Sequence, residues 1–313
     1  MRRLTFIFVV FTLLAALPAA AQMPLVNAMK RLALDRQVDE AINTLESNRG
    51  QAKLPTPEWL AAVSWAARAA GFAERWEVAE KYALEAFEGT KKLLEGRGVD
   101  DDPYLPTALG ASIEVLGRVY DVRDHRAAVD FLNRQRAQYK GTSIETRIQK
   151  NMLLLQLEGE SFPVLETEQF IGKRPPTPAQ LRGKVVLYYF WAHWCGDCKA
   201  QKPILESLYE ENADKGFAVV GPTRFWGYVG GGEDASAEQE LDYLKNPYQK
   251  TYPITSWMPV PISEQNFLNF GVSSTPTLVL VDRAGTVRLY HPGQMSYEEL
   301  RGHIEPLLKQ TTD

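Results

Sequence analysis

Two cysteines are the residues whose type and spacing most clearly indicate chemistry. They are the only cysteines in the 313 residues, and they form the motif Cys195-Gly196-Asp197-Cys198. Cysteines three positions apart lie on the same side of a helical turn, close enough to form a disulfide. Such a pair can exchange disulfides with another molecule, because one thiolate attacks and the second thiol releases the mixed disulfide. A count of two also excludes four-cysteine zinc sites and frameworks of several disulfides.

The motif stands between a predicted strand and a predicted helix. Residues 185–191 form a continuous run of β-branched and aromatic side chains, typical of a strand buried on both faces. Residues 198–212 have a helical pattern. A helix start offers unpaired N–H groups and a partial positive charge, and both favour a thiolate over a thiol. We therefore expect Cys195 to be the exposed nucleophile and Cys198, one turn into the helix, to be the shielded resolving thiol.

Two other roles fit a pair of cysteines with this spacing: half of a zinc site and an inert structural disulfide. The four histidines of the chain provide no second cluster of ligands, and the sequence indicates neither a metal nor another cofactor. A structural disulfide is uncommon at a helix start that tryptophans flank. We interpret His193, two residues before the first cysteine, as an exposed residue rather than a catalytic base.

The character of the sequence changes near residue 158. Before it, apolar residues recur at three- and four-residue spacing, and no strand pattern occurs. Six helices are predicted in this region, over 25–48, 57–70, 74–95, 105–121, 124–139 and 143–157. Small residues such as Ala79 and Ala83 would let two helices approach closely. The region is either a degenerate tetratricopeptide-like array of helical hairpins or a plain helical bundle, and both forms offer a surface for a partner.

Strands alternate with helices in the second half of the sequence. Strands are predicted over 185–191, 217–220, 278–281 and 287–290, and helices over 198–212, 236–245 and 297–308. This order predicts an α/β domain with a mixed sheet. We therefore divide the chain into residues 1–21, a helical domain over 22–157 and an α/β domain over 158–313. Residues 222–235 combine aromatic residues with glycines, and form either a substrate-contact insertion or a surface loop.

Residues 158–309 resemble the thioredoxin superfamily, and most of all the exported thiol–disulfide oxidoreductases of the TlpA/ResA type. The resemblance covers about half of the chain and rests on several separate elements. They are Gly183-Lys184, the motif from Phe190 to Lys199, Pro203, Phe270-Gly271-Val272, Thr275-Pro276-Thr277, the turn from Asp282 to Gly285, and Gly293. Taken together the elements are specific, although no single one is.

The resemblance implies an α/β thioredoxin-like fold and a role for several residues. Cys195 and Cys198 would be catalytic, and Pro276 would be a cis-proline that faces them, where an ordinary trans-proline is the alternative. Such a turn leaves the backbone of Thr275 free to pair with a substrate strand. Trp194 completes the implied substrate-binding set. The implied supporting residues are Gly196, Asp197, Lys199 and Pro203.

Two positions depart from the family pattern. Thioredoxins proper carry a buried aspartate where this chain has Tyr189, and ResA-like proteins carry a glutamate where it has Gln201. Neither usual proton acceptor is present, so a water molecule or an acid outside the motif must take the proton of the resolving thiol. Asp197 beside the pair would raise the thiol pKa by repulsion, and Lys199 and His193 would oppose it.

The first 21 residues predict export. Arg2 and Arg3 precede an apolar stretch that ends at Pro18, and three alanines follow up to Ala21. We expect cleavage after Ala21 and a periplasmic or secreted protein with no stable membrane anchor; an uncleaved anchor is the alternative. A net charge of −4 without a basic run is unlike a protein that binds nucleic acid.

The sequence as a whole predicts an exported thiol–disulfide oxidoreductase. Its partners would be protein disulfides or dithiols, an electron donor that the sequence does not identify, and a protein bound by the helical domain. The resemblance favours reduction or isomerisation over general oxidation. One alternative is a scaffold with a slow or inactive site, since the usual proton acceptors are missing. Another is a peroxiredoxin-like peroxidase, which the residues before Cys195 disfavour.

Overall fold

A computed structural model describes residues 24–50 and 55–310. The predicted signal peptide lies outside these described residues. Within the two ranges, no helix combines the length and the apolar character that crossing a membrane requires. A helical region comes first along the chain, and a region built on a β-sheet follows it.

The helical region contains seven α-helices in the described part of the chain. They are α1 (Leu25–Leu34), α2 (Val38–Arg49), α3 (Pro57–Phe72), α4 (Trp76–Leu93), α5 (Leu105–Arg123), α6 (His125–Gln138) and α7 (Glu145–Gln156). The prediction of a single helix over 25–48 is wrong, because the chain turns at Arg36, whose φ is +58°. A hydrogen bond of 2.9 Å from the Gln37 amide to the Leu32 carbonyl oxygen closes α1 there. Arginine is a good helix former, so its type gives no sign of this turn.

Helix α3 lies at the centre of the helical region. Every residue from Trp59 to Ala67 is buried, and the helix packs against α1, α2, α4 and α5. The approach of α4 is close, because a Cβ on Gly89 would lie 2.6 Å from Cδ2 of Leu60. Ala79 and Ala83 of α4 are fully buried. Small residues therefore permit this packing, as the sequence predicted, whereas the tetratricopeptide-like repeat stays a prediction.

A buried carboxylate fixes α7 against the rest of this region. Glu114 on α5 lies 3.0 Å from Arg147, 3.1 Å from Lys150 and 3.1 Å from Arg68. Burial by itself would raise the pKa of Glu114, but the three cations outweigh burial and hold that pKa well below its usual range. The carboxylate is therefore ionised at neutral pH, and it joins α3, α5 and α7.

The sheet region confirms the predicted mixed sheet. Its strands are β1 (Phe170–Ile171), β2 (Val185–Phe190), β3 (Phe217–Val220), β4 (Val260–Pro261), β5 (Thr277–Val281) and β6 (Val287–Pro292). Four of them form one sheet in the order β3-β2-β5-β6, in which β2 and β3 are parallel and the other pairs are antiparallel. Strands β1 and β4 form a separate two-stranded ladder, and each is too short for a sequence pattern to show.

Six helices accompany these strands. They are α8 (Pro178–Leu181), α9 (Gly196–Asn212), α10 (Ala237–Lys245), α11 (Pro247–Thr251), α12 (Glu264–Asn269) and α13 (Tyr297–Lys309). Helices α9, α10 and α13 confirm predicted helices, and α9 begins two residues earlier than expected. The short helices α8, α11 and α12 were not predicted, because fewer than two turns give no readable periodicity.

Strand β2 contributes to two hydrophobic cores, one on each face of the sheet. Leu187 and Tyr189 point to the core that includes both cysteines and α13. Tyr188 and Phe190 point to the other core, where Leu157 joins them from the end of α7. The alternation follows from the two-residue period of a strand. Burial on both faces explains why β2 reads as a continuous apolar run.

The end of the helical region is packed onto the sheet region. Gly271 follows α12 with a φ of +57°, and a Cβ at this position would lie 2.4 Å from the Lys150 backbone nitrogen. Beside this contact, Nε2 of Gln149 donates to the carbonyl oxygen of Asn269 at 3.3 Å. Only glycine fits both the backbone conformation and the close approach. Helix α7 is therefore held on one side by Glu114 and on the other by the segment around Gly271.

We predict that Glu114→Gln lowers the free energy of unfolding by about 3 kcal/mol at pH 7, because three half-buried cations lose their buried counter-charge. Urea unfolding measures this loss. The matched control is Glu88→Gln on α4, which removes an exposed contact of 3.5 Å with Lys91 and should cost under about 1 kcal/mol.

The pH dependence has a definite sign. Because the pKa of Glu114 is lowered in the folded protein, its stabilisation is complete above about pH 4.3, where an unfolded glutamate titrates, and is lost as the pH falls further. The difference between wild type and Glu114→Gln should therefore shrink below that pH. Equal losses in both variants at pH 7 would contradict this account of the cluster.

Candidate active site

The two cysteines are joined in a disulfide at the start of α9. Their Cα atoms are 5.2 Å apart. Cys195 is the N-cap residue of the helix, and its Sγ accepts a hydrogen bond of 3.0 Å from the Cys198 amide. In the dithiol form, the same amide and the helix N-terminus would stabilise a thiolate on Cys195 more than a thiol.

The expectation of an exposed Cys195 is wrong for this oxidised form. Cys195 is 4% exposed and Cys198 is 1% exposed, whereas the neighbouring Trp194 is 45% exposed. Burial follows from packing, since both sulfurs belong to the core on the α9 side of the sheet. The residues on either side of Cys195, Trp194 and Gly196, are both exposed, so the sulfur lies just beneath the surface that they form.

Thr275 and Pro276 lie beside the first cysteine. The peptide bond between them is cis, as the resemblance implies. The carbonyl oxygen of Thr275 lies 3.3 Å from Sγ of Cys195. Strand β5 starts at the next residue, Thr277, which pairs with Phe190 at the end of β2. The sheet thus brings together two segments that are 80 positions apart.

The four implied supporting residues occupy different surroundings. Gly196 and Asp197 are exposed in the first turn of α9, and the Asp197 carbonyl oxygen accepts a hydrogen bond of 2.8 Å from Nε2 of Gln294. Nζ of Lys199 lies 5.0 Å from the centre of the Tyr252 ring. The fourth, Pro203, stands inside α9.

The side chains at the two positions that depart from the family pattern form hydrogen bonds with backbone groups and do not act as proton acceptors. Tyr189 donates a hydrogen bond of 2.7 Å to the Cys198 carbonyl oxygen, and burial raises the pKa of Tyr189 well above its usual value. Gln201 is 1% exposed, and its Oε1 accepts a hydrogen bond of 2.9 Å from the Met295 amide. Tyr189 therefore remains a donor at neutral pH, and the amide of Gln201 cannot act as a base.

His193 is buried, so its interpretation as an exposed residue is wrong. It is 2% exposed, and the rings of Tyr228 and Tyr243 lie edge-on, each with a centroid 5.5 Å away. Burial lowers the pKa of His193 to about 4, a backbone hydrogen bond with Tyr228 acts in the opposite direction, and Lys199 adds to the lowering. The imidazole is therefore neutral at pH 7 and cannot offset the charge of Asp197.

Glu240 is a residue of this region that the sequence did not single out. It is fully buried, and one carboxylate oxygen lies 3.3 Å from Nε2 of His193. Its carboxylate accepts hydrogen bonds of 2.9 Å from the amides of Trp226 and Gly227. Glu240 stands four residues before Leu244 on α10, so the two share the buried face of the helix, but a glutamate is rarely buried and its type gave no sign of this burial.

The loop held by Glu240 reaches the surface next to the cysteines. Trp226 packs edge-on against Trp194, with ring centroids 5.2 Å apart. The guanidinium of Arg224 lies 4.2 Å from the Trp226 ring centre. The loop of residues 222–235 is therefore anchored by aromatic packing next to Trp194, and its contact with a substrate stays a prediction.

Comparison with known proteins places these residues in a recognised domain. A family described as a thioredoxin-like domain matches residues 177–307. The thioredoxin-like protein YneN of Bacillus subtilis is 27% identical over 169 residues, which cover 53% of this chain and 89% of that protein. The thiol:disulfide interchange protein DsbE of Tatumella citrea is 31% identical over 153 residues, 48% of this chain and 74% of that protein. The thiol–disulfide oxidoreductase ResA of Oceanobacillus iheyensis is 23% identical over 155 residues, which cover 49% of this chain and 73% of that protein.

We predict that Glu240→Gln lowers the free energy of unfolding by about 2 kcal/mol, because the hydrogen bonds from the Trp226 and Gly227 amides lose their charge assistance when a neutral amide oxygen replaces the carboxylate. The amide protons of Trp226 and Gly227 should also exchange faster with solvent. Urea unfolding and amide hydrogen exchange measure the two effects. Glu238→Gln, an exposed position on the same helix, is the control and should change neither. Unaltered exchange at both amides in Glu240→Gln would show that the carboxylate does not hold the loop.

Proposed function

Because this chain belongs to the thioredoxin-like family of thiol:disulfide interchange proteins, we propose that its Cys195–Cys198 pair exchanges disulfides with protein substrates. The chain is a thiol–disulfide oxidoreductase of the ResA and DsbE type. The observation that carries the assignment of the site is the disulfide at the start of α9, with the Thr275 carbonyl oxygen 3.3 Å from Cys195. Both sulfurs are buried, but Cys195 caps the helix beside the exposed Trp194, whereas Cys198 lies inside the first turn of α9.

The proposed reaction begins with the dithiol form. The Cys195 thiolate attacks one sulfur of a substrate disulfide, forms a new S–S bond, and expels the other substrate sulfur as a thiolate, which takes up a proton. The Cys198 thiolate then attacks Sγ of Cys195 and expels the second substrate sulfur. Two electrons pass to the substrate, whose disulfide becomes two thiols, while the protein acquires the Cys195–Cys198 disulfide.

The surrounding residues support the two steps differently. The Cys198 amide and the helix N-terminus favour the thiolate on Cys195, which makes it the attacking sulfur. Tyr189 fixes the Cys198 carbonyl group and thus the first turn of α9. Since neither Tyr189 nor Gln201 accepts a proton, the thiol proton of Cys198 passes to water or to the departing substrate thiolate.

We also propose the direction and the location of the reaction. The resemblance to TlpA/ResA-type proteins favours reduction or isomerisation of exported proteins, with an electron donor still to be identified. The pattern of the first 21 residues supports a periplasmic or secreted location, where an oxidising environment forms disulfides in substrates. Trp194, Thr275 and Pro276 would contact the substrate.

A scaffold with a slow or inactive site is the second candidate. Two observations favour it: the usual proton acceptors are replaced by Tyr189 and Gln201, and Cys195 is only 4% exposed. The helical region would then recruit a partner, and redox exchange would contribute little.

We predict that the reduced protein cleaves insulin disulfides and that Cys195→Ser abolishes this activity, because the attacking sulfur is lost. Cys198→Ser should instead accumulate a mixed disulfide on Cys195, since the releasing sulfur is missing. Insulin turbidity and mass spectrometry of the trapped adduct measure these outcomes.

The control is Ser256→Ala, a serine substitution at an exposed position that leaves both sulfurs in place. It should reduce insulin at the wild-type rate. Wild-type protein that is folded yet exchanges no disulfide at any potential would support the scaffold. Mixed disulfides that form on Cys198 rather than on Cys195 would reverse the assigned roles.

A further inference from the structure

A groove lies between the helical region and the segments that carry Trp194 and Thr275, the neighbours of the disulfide. It is a cavity of about 540 Å³. The sheet region supplies Trp194, Trp226 and Ser273–Thr275. The connection between α6 and α7 supplies Thr142 and Ser143, and the first turn of α7 supplies Thr146. We name this cavity the interdomain groove. It adjoins the surface that covers Cys195, because Trp194 belongs to both.

We propose that the interdomain groove holds the extended polypeptide segment that flanks the target cysteine of a protein substrate, so that the helical region forms part of the substrate site. The proposal rests on the function proposed above, and it assigns to the residues 142–146 a role in selecting protein substrates. The volume lies in the range of pockets that enclose a small-molecule ligand, which is room for a few residues of extended chain.

The lining of the groove fits an uncharged peptide backbone. Hydroxyl groups stand on both sides of it, on Ser143 and Thr146 of the helical region and on Ser273 and Ser274 of the sheet region. A hydroxyl group both donates and accepts, so it can pair with the N–H and C=O groups that an extended segment leaves free. Aromatic rings at the disulfide end provide contact area for a side chain.

The charges of the groove argue against a strongly charged occupant. Its lining contains one cation and one anion, Arg224 and Glu264, and they form an ion pair with each other. The guanidinium is also placed over the Trp226 ring. The pair leaves no excess of either sign to attract a phosphate group or an acidic peptide.

The helical wall is fixed in place. Helix α7 starts at Glu145, whose carboxylate accepts a hydrogen bond of 2.6 Å from the Gly141 amide. The Ser143 amide donates to Asp100 at 3.2 Å. The same helix is anchored by Glu114 and by the contact of Lys150 with Gly271. A wall anchored at these points should discriminate between substrates by shape, because moving it would break the contacts that anchor it.

A bulky residue in this wall tests the proposal. Ser143→Trp should lower the second-order rate constant for insulin about tenfold, because the indole fills the groove, and should change that for hydroxyethyl disulfide less than about twofold. The small disulfide needs only the cysteines. Ser47→Trp, at an exposed serine of α2, is the matched control and should change neither rate constant.

A second measurement does not depend on a rate. With Cys198→Ser as background, a benzophenone side chain at position 143 should cross-link to insulin held on Cys195 as a mixed disulfide, and one at position 47 should not. Cross-linking at 143 together with the selective loss for insulin establishes the role of the wall.

The remaining outcomes separate the two proposals. Unchanged insulin reduction in Ser143→Trp, no cross-link at 143, or an equal loss for both disulfides would each overturn the interdomain groove as a substrate site, while the proposed function stands. Wild-type protein that reduces neither disulfide would overturn the proposed function itself, and the groove proposal with it.

Discussion

The antiparallel pairing of β2 with β5 is the constraint on which the site depends. Phe190, the last residue of β2, is opposite Thr277, the first residue of β5. In an antiparallel pair the end of one strand lies beside the start of the other. The segment that leaves β2 and carries the cysteines therefore meets the segment that enters β5 and carries Thr275. Helix α9 then starts at the sheet edge and places its N-terminal amides around the first sulfur.

The position of α7 is the second constraint, because this helix contacts both the rest of the helical region and the sheet region. The carboxylate of Glu114 binds α7 from the helical side, and the glycine at position 271 lets the backbone of the sheet region approach it closely. Neither contact has much freedom, because one involves buried charges and the other involves backbone atoms. The loop that precedes α7 is consequently held in place, where it lines one cavity together with Trp194 and Thr275.

Buried polar side chains around the cysteines act mainly on the backbone. Tyr189 holds the Cys198 carbonyl group, Gln201 holds the Met295 amide, and Glu240 holds the amides of Trp226 and Gly227. A buried polar group without a partner is costly, so each of these pairs also stabilises the shape of the site. Tyr189 and Gln201, which stand where the family pattern has acids, therefore support the backbone around the cysteines and accept no proton.

The sequence by itself determined the chemistry and the fold class. The spacing of Cys195 and Cys198, the apolar run of β2 and the helical pattern that follows are local signals, and local signals are readable because they depend on neighbouring residues. The turn at Arg36 was missed because arginine gives no sign of a turn, and the short helices and the ladder of β1 with β4 were missed because elements of two to six residues show no periodicity. Only the tertiary structure decided that His193 and Glu240 are buried and that Ser143 lines one cavity with Trp194 and Thr275. Burial and proximity are set by packing between segments far apart in the chain, and no local pattern contains that information.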